Sequence, residues 1–240
     1  MGDLTDQLRR EPPGLHAGGS EYWVLAWEAL EWLEREVRPG MATLETGSGA
    51  STLVFASAGA EHEAVTPEAN EEVRFRTEAE RRGVDASRVT FRIGFSHEVL
   101  PRLEPSPLDL VLVDGAHGFP YPILDWWYVA RRVKVGGRLL LDDAYMPPVR
   151  ALLDALRADP RWVVEDAASF RTAVVRKLAD GLPGFDWEGE RIGGGMGFGY
   201  LPPGARAVAS ARQRLFSTRL GLRAVELARR RTGLRFRRKG

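Results

Sequence analysis

Two segments bring together residue types suited to chemistry. Asp114 and His117 share the segment LVLVDGAH, and Asp142 and Asp143 close the segment RLLLDDAY. Each segment is an apolar run ending in acid, the pattern of a buried strand that delivers a carboxylate to its own C-terminal end. If the two strands are neighbours, three carboxylates converge and repel one another. Hard carboxylate oxygens in that arrangement suit Mg²⁺, Ca²⁺ or Mn²⁺, with Asp114, Asp142 and Asp143 as ligands. The structural alternative is that Asp142 or Asp143 caps the following segment while Asp114 holds its loop. His117 is the side chain best suited to act as a base near neutral pH, paired with Asp114. A lone histidine can also be purely structural.

A third constellation lies in MATLETGSGASTL, residues 41–53. A short apolar run ends at Glu45, and Gly47, Ser48 and Gly49 lead into a helix-like stretch. Glycines there let a ligand approach the backbone, and the helix N-terminus offers unpaired N–H groups. A dinucleotide fingerprint requires a third glycine where Thr52 stands, which argues against an NAD-dependent oxidoreductase. Glu45 suits a ligand with a cationic end, such as an amino acid, and shifts the reading towards S-adenosylmethionine (SAM). Glu68 follows Gly49 by 19 residues, near the spacing of about 20 at which an acid meets ribose hydroxyls. As a first-turn residue it is alternatively favoured by the helix dipole. Gly94-Phe95-Ser96-His97 follows the next strand and can edge an adenine ring, with Ser96 either a ligand partner or an N-cap.

These residues need a scaffold that places strand ends side by side. Ser20 is expected to cap a helix from Glu21 to about Val37, whose Tyr22, Trp23, Trp27, Leu30 and Leu33 pack on the main domain or line a substrate pocket. Strands are expected at 41–45, 61–66, 89–93, 108–114 and 138–141, alternating with helices near 51–57, 67–82, 96–103, 121–133 and 148–158. This alternation predicts an α/β fold, a mainly parallel sheet with helices on both faces. The last two strands, 162–165 and 172–175, are linked too closely for a parallel crossover and should pair as a hairpin. Residues 1–19 read as a loose lead-in rich in proline and glycine. The expected organisation is a helical cap over 1–39, a core domain over 40–178, and a glycine-rich loop with a basic helix over 179–240. The loop, 181–204, carries aromatic residues that suit a lid or an arm on a partner.

Composition narrows the class. The 240 residues contain no cysteine, which excludes disulfides and thiolate metal sites. No apolar run is long enough for a transmembrane helix, and the N-terminal stretch lacks a signal-peptide core, so a cytoplasmic location is expected. The net charge of +1 hides an asymmetry: residues 206–240 hold eleven arginines and Lys239 against the single acid Glu226. Such a tail can meet phosphate-rich partners, an anionic membrane surface, or the acidic body of a second subunit in a homodimer. The plainer alternative is a solvated arginine-rich helix. With little aromatic interleaving, a specific nucleic-acid site is not expected.

Taken together, ETGSGAST, VTPE and DLVLVDGAHGFPYPILDWWYVARRVKVGGRLLLDDAY resemble the class I SAM-dependent methyltransferases. The closest group is that of catechol-type and sugar O-methyltransferases with related bacterial enzymes, and the resemblance covers about residues 40–177. It implies a Rossmann-like seven-stranded mixed sheet in order 3-2-1-4-5-7-6 with strand seven antiparallel. It implies that Glu45, Gly47 and Gly49, with Ser48 between them, meet the methionine part of SAM, that Glu68 binds the ribose, and that Ser96 and Asp114 complete the cofactor site. In metal-dependent members Asp114, Asp142 and Asp143 stand where the Mg²⁺ ligands are. Catechol-type enzymes carry Asp-Asn at the last pair and a lysine base after the first aspartate. Here Asp-Asp and His117 take those places, closer to the sugar-modifying members. The expected activity is methylation of a small-molecule hydroxyl, with a non-catalytic SAM-binding scaffold as the reading from another class.

Overall fold

In a computed structural model, the described residues are 3–15, 25–165, 167–181 and 202–216. They form two compact units, divided between residues 193 and 194. The first unit contains a seven-stranded sheet in the order β3-β2-β1-β4-β5-β7-β6. Its strands are β1 (Ala42–Thr46), β2 (Glu61–Thr66), β3 (Val89–Ile93), β4 (Leu108–Val113), β5 (Val133–Leu141), β6 (Trp162–Val164) and β7 (Ala173–Lys177). The pairs among β1 to β5 are parallel, while β7 runs antiparallel to both β5 and β6. The seven-stranded order is thus as the resemblance implied, and the closing hairpin is as the short link predicted.

The sheet is buried on both faces because its strands alternate two apolar sets. Leu110 and Leu112 of β4 face one core, with α2 (Trp27–Glu36) and α3 (Ala50–Ser57). Val111 and Val113 face the other, with α6 (Tyr121–Val129) and α7 (Pro147–Ala158). Between β2 and β3 lies α4 (Ala69–Arg82), which Gly83 ends in the left-handed conformation at φ 66°. A single helical turn, α5 (Ser96–Val99), follows β3 and continues into a 3₁₀ turn.

Three boundaries differ from the sequence reading. Part of the lead-in is helical: Asp3–Arg10 forms α1, with Leu4 and Leu8 buried four residues apart on one face. The prolines and glycines that suggested disorder all follow this helix. The helix expected from Glu21 begins at Trp27 as α2, and Ser20, Tyr22 and Trp23 lie outside the described residues. Finally, β5 starts at Val133, so Gly136-Gly137 is not a turn before it but an irregularity within it. A Cβ on Gly137 would stand 2.9 Å from the Lys134 carbonyl oxygen and 3.0 Å from that of Asp109. Only glycine allows that close approach beside the register shift.

The second unit contains α8 (Pro203–Phe216) among its described residues. Residues 182–201 of the expected lid and 217–240 of the basic tail lie outside the described residues, and α8 takes up the end of the expected loop from Pro203. Among the described residues no helix is long and apolar enough to cross a membrane.

Candidate functional site

A cleft of about 420 Å³ opens at the C-terminal ends of β1, β2, β4 and β5. That end of a parallel sheet is where β–α loops converge on ligands. Gly47 sits at its centre with φ 103°, and a Cβ there would lie 2.7 Å from the Asp114 carbonyl oxygen. The turn after β1 is therefore pressed against the end of β4, which requires glycine both for its backbone angle and for its size. Ser48 Oγ donates to Glu71 Oε2 at 2.5 Å, and Thr66 Oγ1 donates to the same oxygen at 2.5 Å. Glu71 thereby ties the glycine turn to the end of β2.

Glu68 lines the cleft with its carboxylate partly exposed, and Arg74 Nη2 donates to it at 2.9 Å. Phe95, Ser96 and Tyr121 form the wall towards β3 and α6. Glu45 behaves differently. Its side chain is 1% exposed, and its carboxylate accepts from Ser51 Oγ at 2.6 Å, from Thr52 Oγ1, and from His62 Nε2 at 3.1 Å. The carboxylate expected to meet the ligand is turned into the core, because donors beneath the turn satisfy it there. Gly49 also stands behind the lining, with its N–H donated to Thr52 Oγ1 at 2.9 Å.

Opposite the glycine turn, Asp114, His117, Asp142, Asp143 and Arg171 meet. His117 Nε2 lies 3.7 Å from Asp114 Oδ1 and 3.7 Å from Asp143 Oδ2. Asp142 Oδ1 accepts from Thr172 Oγ1 at 2.6 Å and lies 3.6 Å from Arg171 Nε. Arg171 Nη1 is 3.7 Å from Asp143 Oδ1. Asp143 has φ 49°, a left-handed angle that aspartate tolerates and that turns its side chain back beside its neighbour. Burial pushes the Asp114 carboxyl well above the usual carboxylate range, the Asp142 and Glu45 charges push it further, and Arg171 opposes them.

Asp114, His117 and Asp142 each offer one ligand atom, all within 4.8 Å of one another. The donor set fits a divalent cation: oxygen-rich, with more carboxylate charge than Arg171 balances, and with Asp143 Oδ1 buried without a hydrogen-bond partner. The set differs from the expected three aspartates in that His117 joins it, while Asp143 faces His117 and Arg171.

Sequence reasoning missed Glu71, Arg171 and Asp125. Glu71 follows Glu68 by one helical turn, so the two share a face, and that spacing was the available signal. Arg171 lies in the β6–β7 link, and nothing local marks it, since only the hairpin brings it to β5. Asp125 is the one acid in the otherwise apolar α6. It is fully buried, and burial raises its pKa while Ser96, Thr46, His97 and His117 act to lower it.

Residues 44–144 match the family model of a methyltransferase domain. No curated protein matches the sequence. The O-methyltransferase TomG from Streptomyces achromogenes, involved in tomaymycin synthesis and solved in complex with SAM, is similar in structure. It aligns with a TM-score of 0.59 at 16% identity over 74% of this chain and 90% of its own. An rRNA methylase from Streptococcus thermophilus aligns with a TM-score of 0.50 at 15% identity, over 63% of this chain and 95% of its own. TrmN from Thermus thermophilus is 24% identical with a TM-score of 0.47 over 62% of this chain, which spans only 48% of TrmN. The sheet order and the matched stretch give this part of the chain the fold and the family likeness of a methyltransferase domain. The match runs from within β1 to just beyond β5.

Proposed function

We propose that this protein is a SAM-dependent methyltransferase that transfers the methyl group to a hydroxyl of a small molecule, with His117 as the base. The observation that carries this reading is the position of His117 Nε2, 3.7 Å from carboxylate oxygens of both Asp114 and Asp143 at the cleft. Two carboxylates near Nε2 stabilise the imidazolium that forms when the ring takes a proton. Bound SAM supplies an activated methyl on a sulfonium sulfur, and a bound divalent ion lowers the pKa of a coordinated hydroxyl. The protein's own work is then to orient the acceptor, exclude water and accept one proton.

Gly47, Ser48, Glu68, Ser96 and Asp114 form the proposed cofactor wall, with Glu68 placed for the ribose. Asp114 and Asp142 are the proposed holders of Mg²⁺, while His117, supported by Asp143, stays uncoordinated as the base. Phe95 and Tyr121, beside Ser96, give the adenine ring an aromatic wall.

His117→Ala should lower methyl transfer to the true acceptor at least about 100-fold, the lower range for loss of a general base. Binding of S-adenosylhomocysteine (SAH) by calorimetry should stay at the wild-type level. Full activity in this variant would remove His117 from the mechanism. Titration of Mg²⁺ into the SAH complex should give heat for wild type and none for Asp142→Ala; no heat from wild type would exclude the metal. A panel of hydroxyl metabolites against an RNA transcript decides the acceptor class, and transfer to RNA alone would overturn the small-molecule reading.

A further inference from the structure

Glu45 and His62 sit directly beneath the glycine turn, and neither side chain is more than 1% exposed. Thr52 links them to the turn: its Oγ1 accepts the Gly49 N–H at 2.9 Å and donates to the Glu45 carboxylate. His62 Nε2 stands 3.1 Å from that carboxylate, and its Nδ1 stands 2.8 Å from Thr43 Oγ1 near the start of β1. The imidazole also stacks on Phe55 of α3, with ring centroids 4.2 Å apart. A continuous polar chain thus runs from Gly49 through Thr52, Glu45 and His62 to Thr43, buried between β1, β2 and α3.

This chain has an energetic consequence. A buried carboxylate is tolerated only while its hydrogen bonds are intact, so Glu45 constrains every donor around it. Two N–H groups of the turn are already engaged within the protein, that of Gly49 with Thr52 and that of Gly47 with the Val65 carbonyl at 2.8 Å. The turn is therefore shaped partly from below, by Thr52, Glu45 and His62, none of which lines the cleft.

We propose that Glu45 and His62 are a buried positioning pair that holds the glycine turn in its SAM-binding shape through Thr52, without touching the ligand. The inference rests on the SAM reading of the cleft. It replaces direct contact between Glu45 and the amino-acid end of SAM with action through the turn. Charge at Glu45 then matters less than its hydrogen-bonding capacity.

The test uses the full chain, with SAH affinity by calorimetry, melting temperature, and turnover at saturating SAM. Glu45→Leu and His62→Leu should each weaken SAH binding about tenfold, with turnover at saturation within about threefold of wild type. The double variant should bind no worse than the weaker single, since both break one unit. Glu45→Gln should stay within about threefold of wild type, because the amide oxygen still accepts from Thr52 and His62 while its NH2 donates to Ser51 Oγ. Should Glu45→Gln lose as much affinity as Glu45→Leu, the charge meets the ligand directly and the proposal fails. Unchanged affinity in His62→Leu also overturns it. If the leucine variants melt too low to assay, Thr52→Val and Thr52→Ser decide: affinity must fall in the valine variant and survive in the serine one. Absence of SAH binding by wild type would refute the SAM reading itself, and that result is separate from any pattern among variants.

Discussion

At the scale of single residues, two buried acids, Glu45 and Asp125, are satisfied very differently. Glu45 gathers three donors in the core. Asp125 is as deeply buried but has no hydrogen bond of good geometry on either oxygen. Its pKa is raised, chiefly by burial. The sign of the pH effect follows. As pH rises above the ordinary carboxylate range, the unfolded chain gives up this proton while the folded chain still holds it. Stability contributed at acid pH is then lost until pH passes the raised value. Asp125→Asn removes that loss, so its melting temperature relative to wild type should rise between pH 4 and pH 8. A gap that is constant across this range would mean that Asp125 does not titrate abnormally. This residue was hard to read in the sequence. An acid in an apolar helix signals a buried function, but only the packing of α6 beside Ser96 and Thr46 shows where it points.

At the scale of elements, helix α1 and the β6–β7 link show how far local patterns reach. Leu4 and Leu8 have helical spacing, yet the prolines and glycines downstream dominated the reading of that stretch. In the structure Leu8 is fully buried, and Arg9 Nη2 pairs with Glu31 Oε1 at 2.5 Å. Leu8→Ala should therefore destabilise the fold by about 2–4 kcal/mol in urea denaturation, as for a core leucine rather than a surface one. A cost below about 0.5 kcal/mol would return α1 to the status of a loose lead-in. The hairpin was legible because six intervening residues cannot cross over a sheet. Its consequence was not: it carries Arg171 and Thr172 to the carboxylates at the end of β5.

At the scale of the whole molecule, the cleft is made by chain segments far apart in sequence. Its walls come from the ends of β1, β2, β4 and β5, the start of α6 and the β6–β7 link. A ligand there bridges most of the sheet, so its binding energy should appear as global stability. With SAH at 100 times its Kd, the unfolding free energy of the domain should rise by about 2.7 kcal/mol. Calorimetric unfolding of the full chain checks this, and an unchanged transition at that saturation would place the ligand on a segment that melts independently.

The sequence by itself determined the alternation of strands and helices, the closing hairpin, and the residue types of the site. These follow from periodicity, glycine geometry and short links, all of which act over a few residues. Glu68, Ser96, Asp114, His117, Asp142 and Asp143 do line one cleft. Only the tertiary structure decided which way each carboxylate turns. Glu45 points inward because Ser51, Thr52 and His62 offer donors there, and His62 comes from the neighbouring strand. His117 gains Asp143 as a second carboxylate partner because β4 and β5 are adjacent. Orientation depends on which partners arrive from distant parts of the chain, and local sequence carries no record of that.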